Sequence, residues 1–117
     1  MNRAASGSPV RVAIIGAGKV SDYHHVPAIR LDPRATLVAA CDASEELLRQ
    51  RRSDWGIDYI TTDYERICSD PNIDAVVIAT PNFTHKPIAV AAALGAPRRL
   101  VYQRALALQN LALKDGR

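Results

Sequence analysis

The sequence predicts an α/β fold, a doubly wound parallel sheet in a single domain with helices on both faces. Apolar runs rich in β-branched residues recur at Val10–Ile15, Ala35–Cys41 and 74–80, too uniformly apolar for a sheet wetted on one side. Segments with helical spacing or helix-start signals alternate with these runs, the order that builds parallel βαβ units. The chain has 117 residues, 48% hydrophobic and 23% charged, which suits one globular domain and excludes both a disordered chain and a two-domain enzyme.

Residues 1–9 are small and polar, a flexible leader without the apolar stretch of a signal peptide. The run V-R-V-A-I-I at Val10–Ile15 predicts a buried strand, and Gly16-Ala17-Gly18 turns the chain after it. Over 20–31 the apolar residues Val20, Tyr23, Ile29 and Leu31 fall at loose helical intervals, with Pro27 bending or shortening the helix. Ala35–Cys41 predicts a second strand ending at Asp42. Ser44-Glu45-Glu46 then supplies a side-chain cap and an acidic first turn for a helix running to about Arg52, closed off by Gly56.

A short third strand is expected at 59–62 and a small helix at 64–69, followed by a Pro71-Asn72 turn. The stretch 74–80, D-A-V-V-I-A-T, is the most strand-like of the chain. Pro81-Asn82 ends it before a helix capped near Thr84, in whose first turn Pro87 is acceptable. Residues 100–102 offer a very short apolar run for a fifth strand, 105–113 have the Leu and Ala content of a helix, and 114–117 carry no packing pattern. The expected organisation is a leader at 1–9, one domain at 10–102 and an atypical tail at 103–117.

The net charge of +3 is uneven: residues 1–94 hold ten Lys/Arg against eleven Asp/Glu, and 95–117 hold five against one. Basicity confined to the tail, with 5% aromatics, argues against nucleic acid as a partner. No apolar run approaches the roughly 20 residues of a membrane span. Cys41 and Cys68 form no C-x-x-C pair, so neither a metal centre nor a disulfide framework is expected, and a cytoplasmic setting is.

Gly16-Ala17-Gly18-Lys19-Val20-Ser21 is a G-x-G-x-x-S form of the dinucleotide-binding fingerprint. Its first glycine allows the tight turn, its second lets backbone approach a pyrophosphate at a helix N-terminus, and Ser21 stands where Gly or Ala is usual. Asp42, 21 residues after Ser21, ends the next strand, where a carboxylate would accept hydrogen bonds from the adenosine ribose and repel a 2′-phosphate. The expected cofactor is therefore NAD, with NADP disfavoured. A plain glycine turn and a surface aspartate would show the same residues, although the strand, turn, helix and strand context favours the nucleotide.

Thr80, Pro81, Asn82 and His85 follow the end of a central strand and could line a ribose and nicotinamide, although a capped turn explains them as well. Adjacent His24 and His25 point about 100° apart on a helix and cannot readily share a metal, and although Asp22 could cluster with them, no fourth ligand stands at metal spacing. Trp55 and Tyr59 are expected to pack, and Arg49, Arg51 and Arg52 to form a solvated helix face.

The segments V-A-I-I-G-A-G-K-V-S-D-Y-H, C-D, and D-A-V-V-I-A-T-P-N-F-T-H-K-P-I-A together resemble the N-terminal, Rossmann-fold domain of the glucose-fructose oxidoreductase, inositol dehydrogenase and MocA (Gfo/Idh/MocA) family, over about residues 10–94. The resemblance implies an NAD(P)-dependent oxidoreductase transferring hydride to or from a sugar or polyol. It places Gly16, Ala17, Gly18, Lys19, Val20 and Asp42 at the dinucleotide, and Thr80, Pro81, Asn82 and His85 along the cofactor cleft. His24 matches a histidine common in the first helix.

The family continues with Glu-Lys-Pro, whose lysine lies at the active site, and then a substrate-binding domain. Here Gln103-Arg104-Ala105 stands instead, and Arg104 cannot serve as a proton-transferring base at neutral pH. A truncated or frameshifted chain is expected, inactive alone and meeting a small sugar or polyol only if the missing domain is supplied. The alternatives are a non-catalytic dinucleotide-binding or regulatory module that docks onto a partner, and a Rossmann-like domain for another nucleotide or methyl donor.

Overall fold

A computed structural model of the chain describes residues 8–80, 87, 88, 90, 91 and 100–102. Five parallel strands, β1 (Val10–Ile15), β2 (Ala35–Cys41), β3 (Tyr59–Thr61), β4 (Ala75–Ile78) and β5 (Leu100–Tyr102), form one sheet in the order β3-β2-β1-β4-β5. The chain builds outward from β1 to β3, then crosses back to place β4 on the other side of β1. That reversal puts a topological switch point at the carboxyl ends of β1 and β4, the place where sheets of this type bind ligands.

Side chains alternate across the sheet and bury two cores. Ala13, Ile15, Val76 and Ile78 pack on one face with Ile67 and Cys68 of helix α3 (Tyr64–Ser69) and with Ile88. Val12, Ile14, Ala75 and Val77 pack on the other with Val26 of α1 (Val26–Leu31) and Leu48 and Trp55 of α2 (Glu45–Trp55). Full burial of a side chain such as Ile14 or Ile78 contributes about 1.5–3 kcal/mol. In β2 the register steps from Val12↔Leu37 to Ala13↔Ala39, so Val38 is an extra residue in a bulge.

The expected single helix over 20–31 is instead a π-helical turn, Ser21–His25, running into α1. Pro27 has no N–H to give the carbonyl four residues back, and its ring crowds that carbonyl, so the preceding turn widens. The Val26 N–H accordingly reaches the Ser21 carbonyl, five residues back.

Helix α2 is capped as expected, with the Ser44 side chain accepting from the Leu47 N–H. It runs on to Trp55, ending at Gly56 in the left-handed region, φ +65°. Strands three and four are shorter than the apolar runs that predict them. Before β4 the Asp74 carboxylate takes the Arg11 N–H; β4 stops at Ile78, beyond which the Ala79 N–H still reaches the Ile15 carbonyl. Residues 87, 88, 90 and 91 are helical, in the stretch expected to follow Thr84. The leader at 1–7, the segment 81–86 and the tail at 103–117, including the helix expected at 105–113, lie outside the described residues.

Candidate functional site

Between the end of β1 and the first helical turn, the backbone is held from both sides. The Gly16 N–H donates to the Cys41 carbonyl at 2.7 Å, and the Gly16 carbonyl accepts the buried Ser21 hydroxyl at 2.6 Å. Gly16 has φ +106°, and a Cβ there would stand 2.5 Å from the Ala79 carbonyl oxygen. Glycine is therefore required here by the protein itself. At Gly18 an added Cβ would meet no atom of the described residues within 4 Å. The Gly18 carbonyl accepts from the Asp22 N–H at 3.1 Å, the first helical bond of the segment.

Asp42 sits half-buried at the end of β2, facing that turn. One carboxylate oxygen accepts the Ala17 N–H at 2.8 Å, and the other accepts the Ser44 N–H at 2.9 Å. The chain thus brings Asp42 against the glycine turn, as the spacing from Ser21 suggested, but the carboxylate also braces that turn and the start of α2.

Arg51 corrects the expectation of a solvated arginine face. Arg49 and Arg52 are exposed, whereas Arg51 is only 8% exposed, and its Nε donates to the Ala17 carbonyl at 2.9 Å. The physical reason is rotation about the helix: position 51 lies one turn after Leu48 and one before Trp55, on the face turned to the sheet. Trp55 packs in the core as expected, and its indole N–H also donates to Asp22 at 2.8 Å. A basic residue in phase with apolar ones on an amphipathic helix was the signal that could have singled out Arg51. Ser21 carried no comparable signal for its hydroxyl bond.

Gly18 and Lys19 are exposed and Val20 half-buried at the helix start; Gly16 and Ala17 are buried beneath them. Thr80 is half-buried just past β4, at the switch point between β1 and β4. Pro81, Asn82, His85 and Arg104 lie outside the described residues. His24 is exposed, and His25 is half-buried, its pKa lowered by burial and by the neighbouring His24. Tyr59 packs at the edge of a core. Among the described residues no three His, Cys, Asp or Glu side chains come together to hold a metal, and no helix is long and apolar enough to cross a membrane.

Residues 10–98 match the family described as the Gfo/Idh/MocA oxidoreductase family, NAD-binding Rossmann fold. The chain belongs to this family. Its Gfo/Idh/MocA relatives include scyllo-inositol 2-dehydrogenase (NAD(+)) of Bacillus subtilis, 34% identical over 84 residues, which covers 72% of this chain and 25% of the relative.

Among solved structures, the WlbA dehydrogenase from Bordetella pertussis in complex with NADH and UDP-GlcNAcA superposes with TM-score 0.71 at 30% identity, over 80% of this chain and 27% of that one. Biliverdin reductase from Synechocystis, in complex with biliverdin and NADP+, gives TM-score 0.72 at 31% identity, over 94% of this chain and 36% of that one. The chain spans about a quarter of the length of the curated relatives it matches. What it shares with them is the NAD-binding Rossmann part of an oxidoreductase of the Gfo/Idh/MocA family.

Proposed function

We propose that the turn at Gly16–Val20 and the carboxylate of Asp42 bind NAD in preference to NADP, as the nucleotide half of an enzyme transferring hydride to or from a sugar or polyol. The observation that carries this is the contrast between the two glycines. Gly16 has a reason within the protein, while a Cβ at Gly18 would meet none of the described residues within 4 Å, which suits backbone that must approach a pyrophosphate. The N–H and C=O groups of Gly16 and Ala17 are all taken up inside the protein. What the turn presents outward begins at Gly18 and continues through Lys19 and Val20 at the start of the helical segment, where backbone N–H groups favour an anion.

Asp42 fits the adenosine ribose. Each of its oxygens accepts one backbone bond, and a carboxylate has about four acceptor positions, so hydroxyl donors can still be received. A 2′-phosphate would meet that negative charge, and the following Ala43 offers no cation to offset it. Thr80, Pro81, Asn82 and His85 are assigned to the nicotinamide side of the cleft, past the carboxyl end of β4. NAD, when bound, supplies the hydride acceptor; the residues of this chain hold and orient it. The nucleotide unit is assigned to 10–102, with 1–9 as leader and 103–117 as tail, in a cytoplasmic protein.

Calorimetric titration of the 117-residue chain with NAD and with NADP tests the proposal. NAD is expected to bind more tightly, and the Gly18→Val variant, which fills the pyrophosphate approach, is expected to lose binding while staying folded. Equal or tighter binding of NADP, or undiminished binding by Gly18→Val, would overturn it.

A further inference from the structure

We propose that Arg51 is a positioning residue for the dinucleotide, setting the direction of the Gly18 N–H from behind the turn; this rests on the assignment of the turn to NAD. The Ala17 carbonyl and the Gly18 N–H belong to one planar trans peptide, and in such a unit they point in opposite directions. Arg51 Nε holds the carbonyl inward at 2.9 Å. The N–H of the same peptide therefore points away from Arg51, at an exposed residue whose added Cβ would meet none of the described residues within 4 Å. The preceding peptide is pinned separately, by the Ser21 hydroxyl on the Gly16 carbonyl and by Asp42 on the Ala17 N–H.

The guanidinium is built into its place. Its NH1 nitrogen lies 3.5 Å from the Asp22 carboxylate and 3.9 Å from that of Asp54, and its carbon stands 5.6 Å from the centre of the Trp55 ring. Trp55 in turn donates to Asp22 at 2.8 Å, and the Asp22 N–H closes the circuit on the Gly18 carbonyl. A cation so enclosed is expensive unless paired, and here Asp22 supplies the charge while Trp55 supplies a ring face. Residues from 17 to 55 are thus joined in one loop of hydrogen bonds, an ion pair and a ring contact, ending on the peptide that would face the phosphates. Because Trp55 is the single tryptophan, its emission reports on that circuit.

The test compares the wild-type chain with Arg51→Met, which keeps much of the volume, and Arg51→Lys, which keeps the charge. NAD and adenosine are titrated by calorimetry, the Gly18 amide is followed by NMR, and Trp55 fluorescence is recorded with and without NAD. Arg51→Met is expected to bind NAD about tenfold or more weakly, the scale of a charge-assisted hydrogen bond. Its Gly18 amide signal should shift, and the Trp55 response to NAD should be lost. Arg51→Lys should recover part of the affinity. Adenosine, which has no phosphate, should bind all three proteins alike, an outcome that general loosening of the fold would not produce.

A folded Arg51→Met chain with wild-type NAD affinity overturns the inference, as does equal loss of adenosine and NAD binding. If Arg51→Met does not fold, Arg51→Lys and Asp22→Asn carry the same comparison, and unchanged NAD affinity in both is the overturning result. A wild-type chain that binds no NAD overturns the assignment of the turn to NAD and the role in binding with it. A Gly18 amide shift in that case would leave Arg51 as a brace of the turn alone.

Discussion

Replacing Gly16 by alanine would put a Cβ 2.5 Å from the Ala79 carbonyl oxygen at a φ of +106°, so either the turn or the end of β4 must move. The strain of that conformation and the lost packing together predict destabilisation of about 2 kcal/mol or more, read as a lowered midpoint in denaturant. Gly18→Ala meets none of the described residues within 4 Å and should change stability by no more than about 1 kcal/mol. Asp42→Ala removes a carboxylate that accepts two backbone N–H groups. It should cost about 1–3 kcal/mol and narrow the preference for NAD over NADP, a pair of effects that calorimetry and thermal melting separate.

Burial, with the charges of Asp42 and Asp63 beyond it, pushes the Cys41 thiol up to about 12. Since folding raises this pKa above its ordinary value of 9.0, the stability tied to the neutral thiol is present below that value and is lost as pH rises toward 12. Cys41 and Cys68 are both buried. Neither should react with a thiol reagent at neutral pH until the chain unfolds, and rapid reaction of the folded protein would contradict this placement.

Helix α2 joins fold and site more closely than a surface helix need. Its cap, Ser44, accepts the Leu47 N–H at 3.2 Å through the side chain and gives its own N–H to Asp42. Ser44→Ala should lower stability by about 1 kcal/mol with little change in NAD affinity, because the backbone bond to Asp42 survives the substitution. The far half of α2 carries Arg51 and Trp55 onto the turn, and Arg30 of α1 donates to the Trp55 carbonyl at its end. In the first helical segment the position of Pro27 was plain in the sequence. That the widened turn would precede it could not be read there, because propensity does not say which carbonyl the Val26 N–H will find.

For the molecule as a whole, the switch point arises from strand order, with β2 and β3 on one side of β1 and β4 and β5 on the other. Hydride transfer requires a substrate carbon held against the nicotinamide, and such positioning supplies a large part of the rate. The relatives that this chain matches are about three times its length. A polypeptide of these 117 residues is therefore expected to bind NAD without reducing it in the presence of sugars or polyols. Steady reduction of NAD across such a panel, abolished by Gly18→Val, would show instead that the domain is catalytically sufficient.

The strands, the capped start of α2 and the glycine turn were legible in the sequence because each is governed by neighbours close along the chain. β-Branched runs make strands, a serine before two glutamates starts a helix, and two glycines one residue apart turn a strand into a helix. Family membership was legible for the same reason, being carried by short contiguous motifs. Tertiary structure alone decided that Arg51 turns inward to the Ala17 carbonyl, that Ser21 bonds the Gly16 carbonyl, that Trp55 reaches Asp22 and that Val38 bulges from β2. Most of these depend on which groups meet across the sheet or between helices. A buried guanidinium or indole N–H takes its place from the acceptor it finds there, and the acceptors for Arg51 and Trp55 lie 34 and 33 residues away along the chain.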